Sequence, residues 1–223
     1  MPMTRLPWSY TTWDMVLGEN GCPLKYKLSK IDKLKPVGPP PVHLVKGRNA
    51  HEAMDSCMAG GPIPAIANPK THALINLIRG CDDKMVEHNL YLDRNWKRVN
   101  RSVAWLVVKC DVVRQDDAMT TVTVDDWKTG KTRAPAYKEQ MSLYRTAAAS
   151  VWAADAYVVN LVNLEDGKVT TSTTTRAEAL AEIPKWTERA TEFETLTDFS
   201  PRPNQFCGNC DFAASNGGPC RFG

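Results

Sequence analysis

Two β-branched, apolar runs, Ala104 to Arg114 and Thr120 to Trp127, are separated only by Gln115-Asp116-Asp117-Ala118 and a flanking residue, and each carries acid toward one end: Asp111 in the first, Asp126 in the second. Val, Thr and aromatic side chains fit a pleated, half-buried surface, and the polar segment between the runs suits a hairpin connection. The pair constrains the fold because a buried strand cannot hold a carboxylate without a partner or a metal. Successive side chains on a strand alternate between faces, so Asp126 and Lys128 project together, beside whatever Asp111 presents from its neighbour.

The rest of the chain supplies helices and further strands. Trp8 to Leu17 and Pro23 to Ile31 read as short helices broken by Gly18-Glu19-Asn20-Gly21, and the prolines from Pro36 to Pro41 make a stiff connector. Arg48 to Met58 and Pro69 to Arg79 read as helices closed by Gly60-Gly61 and Gly80. Val86 to Asp93 is a further strand. Pro135 to Trp152 returns to helix, Ala156 to Leu164 is a buried strand, and Lys168 to Thr174 pairs with it across Glu165-Asp166-Gly167. A last helix runs from about Arg176 to Glu194, where Pro184 would kink or split it. The order predicts an α/β domain with a mixed central β-sheet flanked by helices. A single domain is expected, with an N-terminal helical segment containing Cys22 (1–46), a core (47–175) and a C-terminal helix with a cysteine-rich end (176–223).

The net charge of +3 and pI near 8.4 are compatible with a nucleic-acid partner without requiring one. No apolar run approaches the roughly 18 residues that span a bilayer, and Met1-Pro2-Met3-Thr4-Arg5 lacks the apolar core of a secretory signal. The expectation is a soluble, cytoplasmic protein with no membrane partner. The 7 cysteines are an odd number with three in the last 17 residues, which fits metal or cluster ligation better than a disulfide framework. Cys57, Cys81 and Cys110 read as ordinary thiols.

Two carboxylates and an ammonium converging on one point suit metal-assisted hydrolysis of a phosphodiester. A lone Asp-x-Lys is more often a solvated pair. Here Asp111 and Asp126-Trp127-Lys128-Thr129-Gly130 together resemble the PD-(D/E)XK nuclease superfamily, in particular its RecB-like exonuclease branch. The resemblance implies a restriction-endonuclease-like core in which Asp111 and Asp126 hold Mg2+ or Mn2+, the Trp127 carbonyl faces the metal and Lys128 positions or activates water. Val108 stands where many relatives carry glycine. Gln140 and Tyr144, spaced to share one helix face, match the Gln-x-x-x-Tyr box of RecB-like nucleases, which implies that they contact DNA near the scissile phosphate or brace the site.

Upstream, Gly47-Arg48-Asn49-Ala50-His51 resembles the family's Gly-x-x-x-His element. A lone helical histidine is usually structural; the resemblance makes His51 a third metal ligand, and an imidazole suits Mn2+ better than Mg2+. Glu87, in Met85-Val86-Glu87-His88, sits where relatives carry an acid on the strand before Asp111, with Glu52 and Asp93 as competitors for that role.

Cys207-x-x-Cys210 and Cys220 offer three soft ligands, one short of a tetrahedral thiolate set. The layout resembles that of iron-sulfur RecB-like nucleases, which implies Cys22 as the fourth ligand of a [4Fe-4S] cluster joining both termini. The nine residues between Cys210 and Cys220 exceed the family's usual spacing, and Zn2+ or no metal are the alternatives. Gly130-Lys131-Thr132 ends like a phosphate-binding loop, but Asp125 occupies the required glycine position. Trp96-Lys97-Arg98 and Arg101 form a basic and aromatic patch that either stacks on and steers single-stranded DNA or is a solvated loop.

The resulting expectation is a metal-dependent deoxyribonuclease, most simply an exonuclease, acting on DNA that is single-stranded or has free ends. Recombination, repair and CRISPR adaptation are the settings such stand-alone enzymes suggest, a phage origin being preferred, with homo-oligomers or pathway proteins as partners. A catalytically silent DNA- or protein-binding module and a structure-specific endonuclease are the alternatives.

Overall fold

The computed structural model describes residues 7–38, 40–130 and 134–222, without the side chains of 134–136. Lys131 and Thr132 of the loop discussed above, Met1 to Arg5, and Pro39 of the connector lie outside the described residues. The segments expected at 1–46, 47–175 and 176–223 compare with two compact units, one of Met1–Pro41 with Lys185–Gly223 and one of Val42–Pro184. No helix of the described residues is long and apolar enough to cross a membrane.

The first unit opens with α1 (Tyr10–Leu17), whose N-terminus is closed by a reciprocal capping box between Ser9 and Thr12. Next comes a single turn, α2 (Pro23–Tyr26), with Pro23 in the first turn where its missing N–H costs nothing. The helix expected to run on to Ile31 does so as a π-turn, Lys27–Ile31.

The second unit is built on a five-stranded sheet in the order β1-β2-β3-β4-β5. It is preceded by α3 (Val42–Met58) and α4 (His72–Arg79), the latter entered through a 3-10 turn at Pro69–Thr71. The strands are β1 (Lys84–Leu92), β2 (Leu106–Gln115), β3 (Thr121–Lys128), β4 (Ala156–Asn163) and β5 (Val169–Thr175). Neighbours run antiparallel except β3 and β4, which are parallel because α5 (Ala134–Val151) carries the chain back between them. The sheet is therefore mixed, as expected. The helix expected to begin at Arg48 begins six residues earlier, directly after Pro41. Gly47 sits inside it at the usual helical cost of about 1 kcal/mol, at a point where a Cβ would lie 3.6 Å from the Thr129 hydroxyl.

Ala50, Met54, Cys57 and Met58 of α3 and Ile75 and Ile78 of α4 form a buried core with Val112, Trp127, Val162 and Leu164 of the sheet. Helix α5 packs on β2, β3 and β4. Trp127 faces the α3 core while its neighbour Asp126 meets Tyr144 of α5. Consecutive strand residues point to opposite faces, so the helices cover both sides of the sheet. The expected final helix is split into α6 (Arg176–Ala181) and α7 (Ile183–Thr195), placing Pro184 in the first turn of α7 rather than in a helix interior.

From Lys185 onward α7 belongs to the first unit. There Trp186 packs against Trp8, Tyr10 and Trp13, and the Arg189 guanidinium lies 4.6 Å from the Trp13 ring centre and 4.8 Å from that of Trp186. The C-terminal coil carries two 3-10 turns, Cys207–Asn209 and Ala214–Asn216, and an isolated bridge from Ala213 to Cys220.

Candidate active site

The ladder between β2 and β3 ends at the pair Val112 and Asp125. One residue beyond it the strands part, and the Trp127 N–H donates to Asp111 Oδ2 at 2.7 Å, so a side-chain carboxylate takes the place of a backbone acceptor. The Lys128 carbonyl accepts from the Leu164 N–H, which turns the peptide groups of Lys128 toward β4. Alternation then turns both the N–H and the C=O of Trp127 into the gap beside Asp111.

Strand β1 bends at the same level. Its pairs with β2 hold on either side, Val86 with Val112 and His88 with Cys110, but Glu87 between them has φ +49°, a left-handed conformation that strains a side-chain-bearing residue. On β2 the alternation of buried Leu106, Val108 and Cys110 is lost beyond Asp111, where Val112 and Val113 are both buried. The kink brings one ligand atom each of His51, Glu87 and Asp111 within 4.8 Å of one another. His51 Nδ1 lies 3.2 Å from Asp111 Oδ1, and that hydrogen bond, against the opposing effect of burial, raises the imidazole above its ordinary pKa.

A fourth group at this centre escaped the sequence reading. Asp55 follows His51 by one helical turn and therefore shares its face, and its carboxyl lies close enough to those of Glu87 and Asp111 to feel their charge. Burial first, then the neighbouring carboxylates, push both acids above their usual range. Asp55 Oδ1 is buried without a hydrogen-bond partner. The i, i+4 spacing from His51 was the available signal. The two competitors for Glu87's place lie elsewhere: Glu52 is exposed and 3.9 Å from Arg48, and Asp93 accepts from the N–H groups of Asn95 and Lys97.

On the α5 side, Lys128 Nζ is 2.5 Å from Asp126 Oδ2 and the Tyr144 hydroxyl donates to Asp126 Oδ1 at 2.7 Å. Gln140 Nε2 in turn donates to the Tyr144 oxygen at 2.8 Å. The two box residues thus act in series, and within this hydrogen-bonded chain it is Tyr144 that touches Asp126. Burial pushes Asp126 up; burial alone would lower Lys128, but the Asp126 charge outweighs it and holds the ammonium above its ordinary value. Burial and the Asp126 charge keep the Tyr144 phenol protonated, a pure donor to the carboxylate. The Tyr137 ring lies 5.3 Å from Lys128 Nζ, a second contact absent from the sequence reading. Beyond Lys128, Gly130 adopts φ +74°, its N–H donates to Glu165 and its carbonyl accepts from Asn163 Nδ2 at 2.7 Å. Glu165 is itself held by Lys46 of α3 at 2.7 Å.

An imidazole with hard carboxylate oxygens is a donor set suited to Mn2+ or Mg2+, and the orphaned oxygen of Asp55 is consistent with a cation there. In the other unit, Cys22, Cys207, Cys210 and Cys220 are free thiols lining one cavity of about 70 Å3. The Arg202 N–H donates to Cys22 Sγ at 3.5 Å and the Asn204 N–H to Cys207 Sγ at 3.3 Å. Among the described residues no three of these sulfurs lie within 4.8 Å of one another. The aromatic part of the basic patch is corrected by the structure: Trp96 is only 4% exposed, edge-on against Trp105, so it is not available to stack on a base.

The sequence signature of the PD-(D/E)XK nuclease superfamily matches residues 104–215, just over half of the chain. Among solved structures, the crystal structure of SSO0001 superposes with a TM-score of 0.51 at 14% identity, covering 94% of this chain and 85% of that one, a likeness of fold. No curated protein matches the sequence.

Proposed function

This chain belongs to the PD-(D/E)XK nuclease superfamily, and on that premise we propose that it is a metal-dependent deoxyribonuclease, an exonuclease that hydrolyses DNA from free ends. The observation that carries the reading is the meeting of His51, Glu87 and Asp111 at one point beside the Asp126–Lys128 pair. His51, Glu87 and Asp111, with Asp126 and the Trp127 carbonyl at the edge of the gap, would hold Mg2+ or Mn2+. A cation so held supplies Lewis acidity and makes bound water acidic enough to furnish hydroxide near neutral pH. Lys128, kept charged by Asp126, orients the attacking oxygen and offsets charge that develops on the phosphate. Tyr144 fixes the Asp126 carboxylate through its hydroxyl, and Gln140 fixes Tyr144, so neither Asp126 oxygen is free to swing away.

The cysteines of the first unit are read as ligands of a [4Fe-4S] cluster that staples the N-terminal segment at Cys22 to the C-terminal coil. Backbone N–H groups donating to Cys22 and Cys207 are the kind of support a thiolate needs. The order of the motifs, His51, Glu87, Asp111, Asp126-x-Lys128, then Gln140 and Tyr144, supports the RecB-like branch. With it come the cytoplasmic roles in recombination, repair or CRISPR adaptation.

The test uses end-labelled linear DNA and circular single-stranded DNA with Mn2+, Mg2+ or chelator. Asp111→Ala and Asp126→Ala are expected to stay folded and to lose cleavage by about 10²–10³-fold, as when a group that stabilises transition-state charge is removed. Full activity in either variant would overturn the active-site assignment. Cleavage of the circle would replace the exonuclease by an endonuclease, and DNA binding without any product would leave a binding module. A brown, iron-containing stock is expected after anaerobic purification; a colourless one would overturn the cluster.

A further inference from the structure

Resting on the reading as a DNA nuclease, we infer that the solvent-facing side of the β1–β2 ribbon is a track for the DNA backbone. It runs from the metal centre to a basic tip at residues 94–101. The ribbon has two unlike faces. Leu90, Leu92, Leu106, Val108 and Cys110 are buried, whereas the alternate cross-strand pairs Asn89 with Lys109 and Tyr91 with Val107 form a more open row, Lys109 exposed and the other three half-buried. That open row starts at the level of Glu87 and Asp111, so the track begins at the candidate metal ligands. Lys109, two residues from Asp111, is exposed along it.

At its far end the ribbon carries Arg94, Lys97, Arg98 and Arg101, all exposed. The one acid among them, Asp93, is engaged by the N–H groups of Asn95 and Lys97. The tip is a built structure. Trp96 and Trp105 are buried edge to face at 6.2 Å, Trp96 holds φ +61°, and the Val99 N–H donates to the Tyr91 carbonyl, folding the tip back on β1. A strained, tryptophan-anchored turn presents its cations at low entropic cost to a ligand.

The opposite end of the ribbon is acidic. Asp82, Asp83, Asp116 and Asp117 are exposed there, while Lys84 donates to the carbonyls of Arg79 and Cys81 and Arg114 is bound to Asp125. A polyanion leaving the metal centre is therefore drawn toward the tip and repelled from the other end. From Glu87 to Leu92 the strand climbs about 17 Å, the axial length of about five base-pair steps of duplex DNA at 3.4 Å each. The partner of this track is a phosphodiester backbone, recognised by charge and independent of base sequence.

The triple variant Lys97→Gln, Arg101→Gln, Lys109→Gln keeps the aliphatic stems and removes the charges. Binding of a 20-nucleotide and a 4-nucleotide DNA is measured without divalent metal by fluorescence anisotropy across salt concentrations, and cleavage by wild type and variant is measured with Mn2+. The variant should fold with an unchanged Tm and bind the long DNA at least about tenfold more weakly, with a salt slope shallower by about one unit per cation removed. Its KM for long DNA should rise while kcat is kept, so that the advantage of long over short substrate collapses. Equal affinity and equal salt slope in the two proteins would overturn the track, whether or not the DNA is cleaved. Failure of the wild type to cleave any DNA would instead count against the nuclease reading, and the binding arm would still decide the track.

Discussion

Asp125 and Asp126 are adjacent in sequence and opposite in treatment, which makes Arg114 a sharp test of how this chain handles a buried acid. Asp125 is fully buried, yet Arg114 Nε donates to its Oδ2 at 2.8 Å and Asn160 Nδ2 to its Oδ1 at 2.8 Å, with Thr171 donating to the Asn160 oxygen in turn. Replacing Arg114 by Met leaves the carboxylate buried with one neutral donor. Breaking a buried ion pair in this way costs about 3–5 kcal/mol, and at about 2–4 °C per kcal/mol for a chain of this size the Tm should fall by about 6–20 °C. Adding Asp125→Asn removes the stranded charge and should restore a large part of that loss, as a double-mutant cycle would register. Calorimetry and urea unfolding in chelator give both numbers, and cleavage well below the transition should persist, because Asp125 points to the face opposite Asp126. A single variant costing less than about 1 kcal/mol, the range of an exposed pair, or a double variant no more stable than the single, would refute the argument.

Three other substitutions probe the centre and its supports. Asp55→Asn should weaken Mn2+ binding by about 10–100-fold, the size of effect expected for a group supporting metal ligands, read by metal titration of the folded protein; unchanged affinity would remove Asp55 from the centre. Gly130→Ala forces a side chain into a left-handed conformation with open space around it, so it should cost about 1 kcal/mol through the backbone alone, together with a lower kcat as Lys128 loses its fixed exit; thermal unfolding and steady-state kinetics separate the two. Pro184→Ala, in the first turn of α7, should shift stability by no more than about 0.5 kcal/mol by denaturant unfolding, whereas a loss of several kcal/mol would mean that the proline sets the break between α6 and α7.

What could be read from the sequence is what depends on local pattern. The strands around Asp111 and Asp126 are visible as β-branched runs, and the pairing of Asp126 with Lys128 follows from strand alternation. Pro184 marks a helix boundary because its ring and missing N–H are incompatible with a helix interior. In the sequence only the resemblance favours Glu87 over Glu52 and Asp93; the physical reason is one residue turned to positive φ between two intact ladder pairs. Asp55 was hidden for a related reason: an acid on a helix that begins earlier than its pattern suggests looks solvated until the kinked β1 comes to meet it. Trp96 reads as exposed beside three cations, but the turn fixed by Asp93 rotates it inward against Trp105.

Three local rules are broken at one place in a core that otherwise keeps them. A non-glycine residue takes a left-handed conformation in mid-strand, a β-ladder opens before its strands end, and like charges are brought together. The Asp125 network shows that this chain can satisfy a buried acid fully when the acid serves only the fold. Around His51 it does otherwise: Asp55, Glu87, Asp111 and Asp126, four carboxylates, meet one ammonium, Lys128, and one imidazole. Counting the acids as ionised, four negative charges against one positive with His51 neutral, or two with it protonated, leave a deficit of three or two. A divalent cation supplies two of those charges and gives the Asp55 oxygen a nearby counter-charge. Conflicts concentrated at one point, with the surrounding core consistent, are the mark of a site whose local cost is set against function rather than stability.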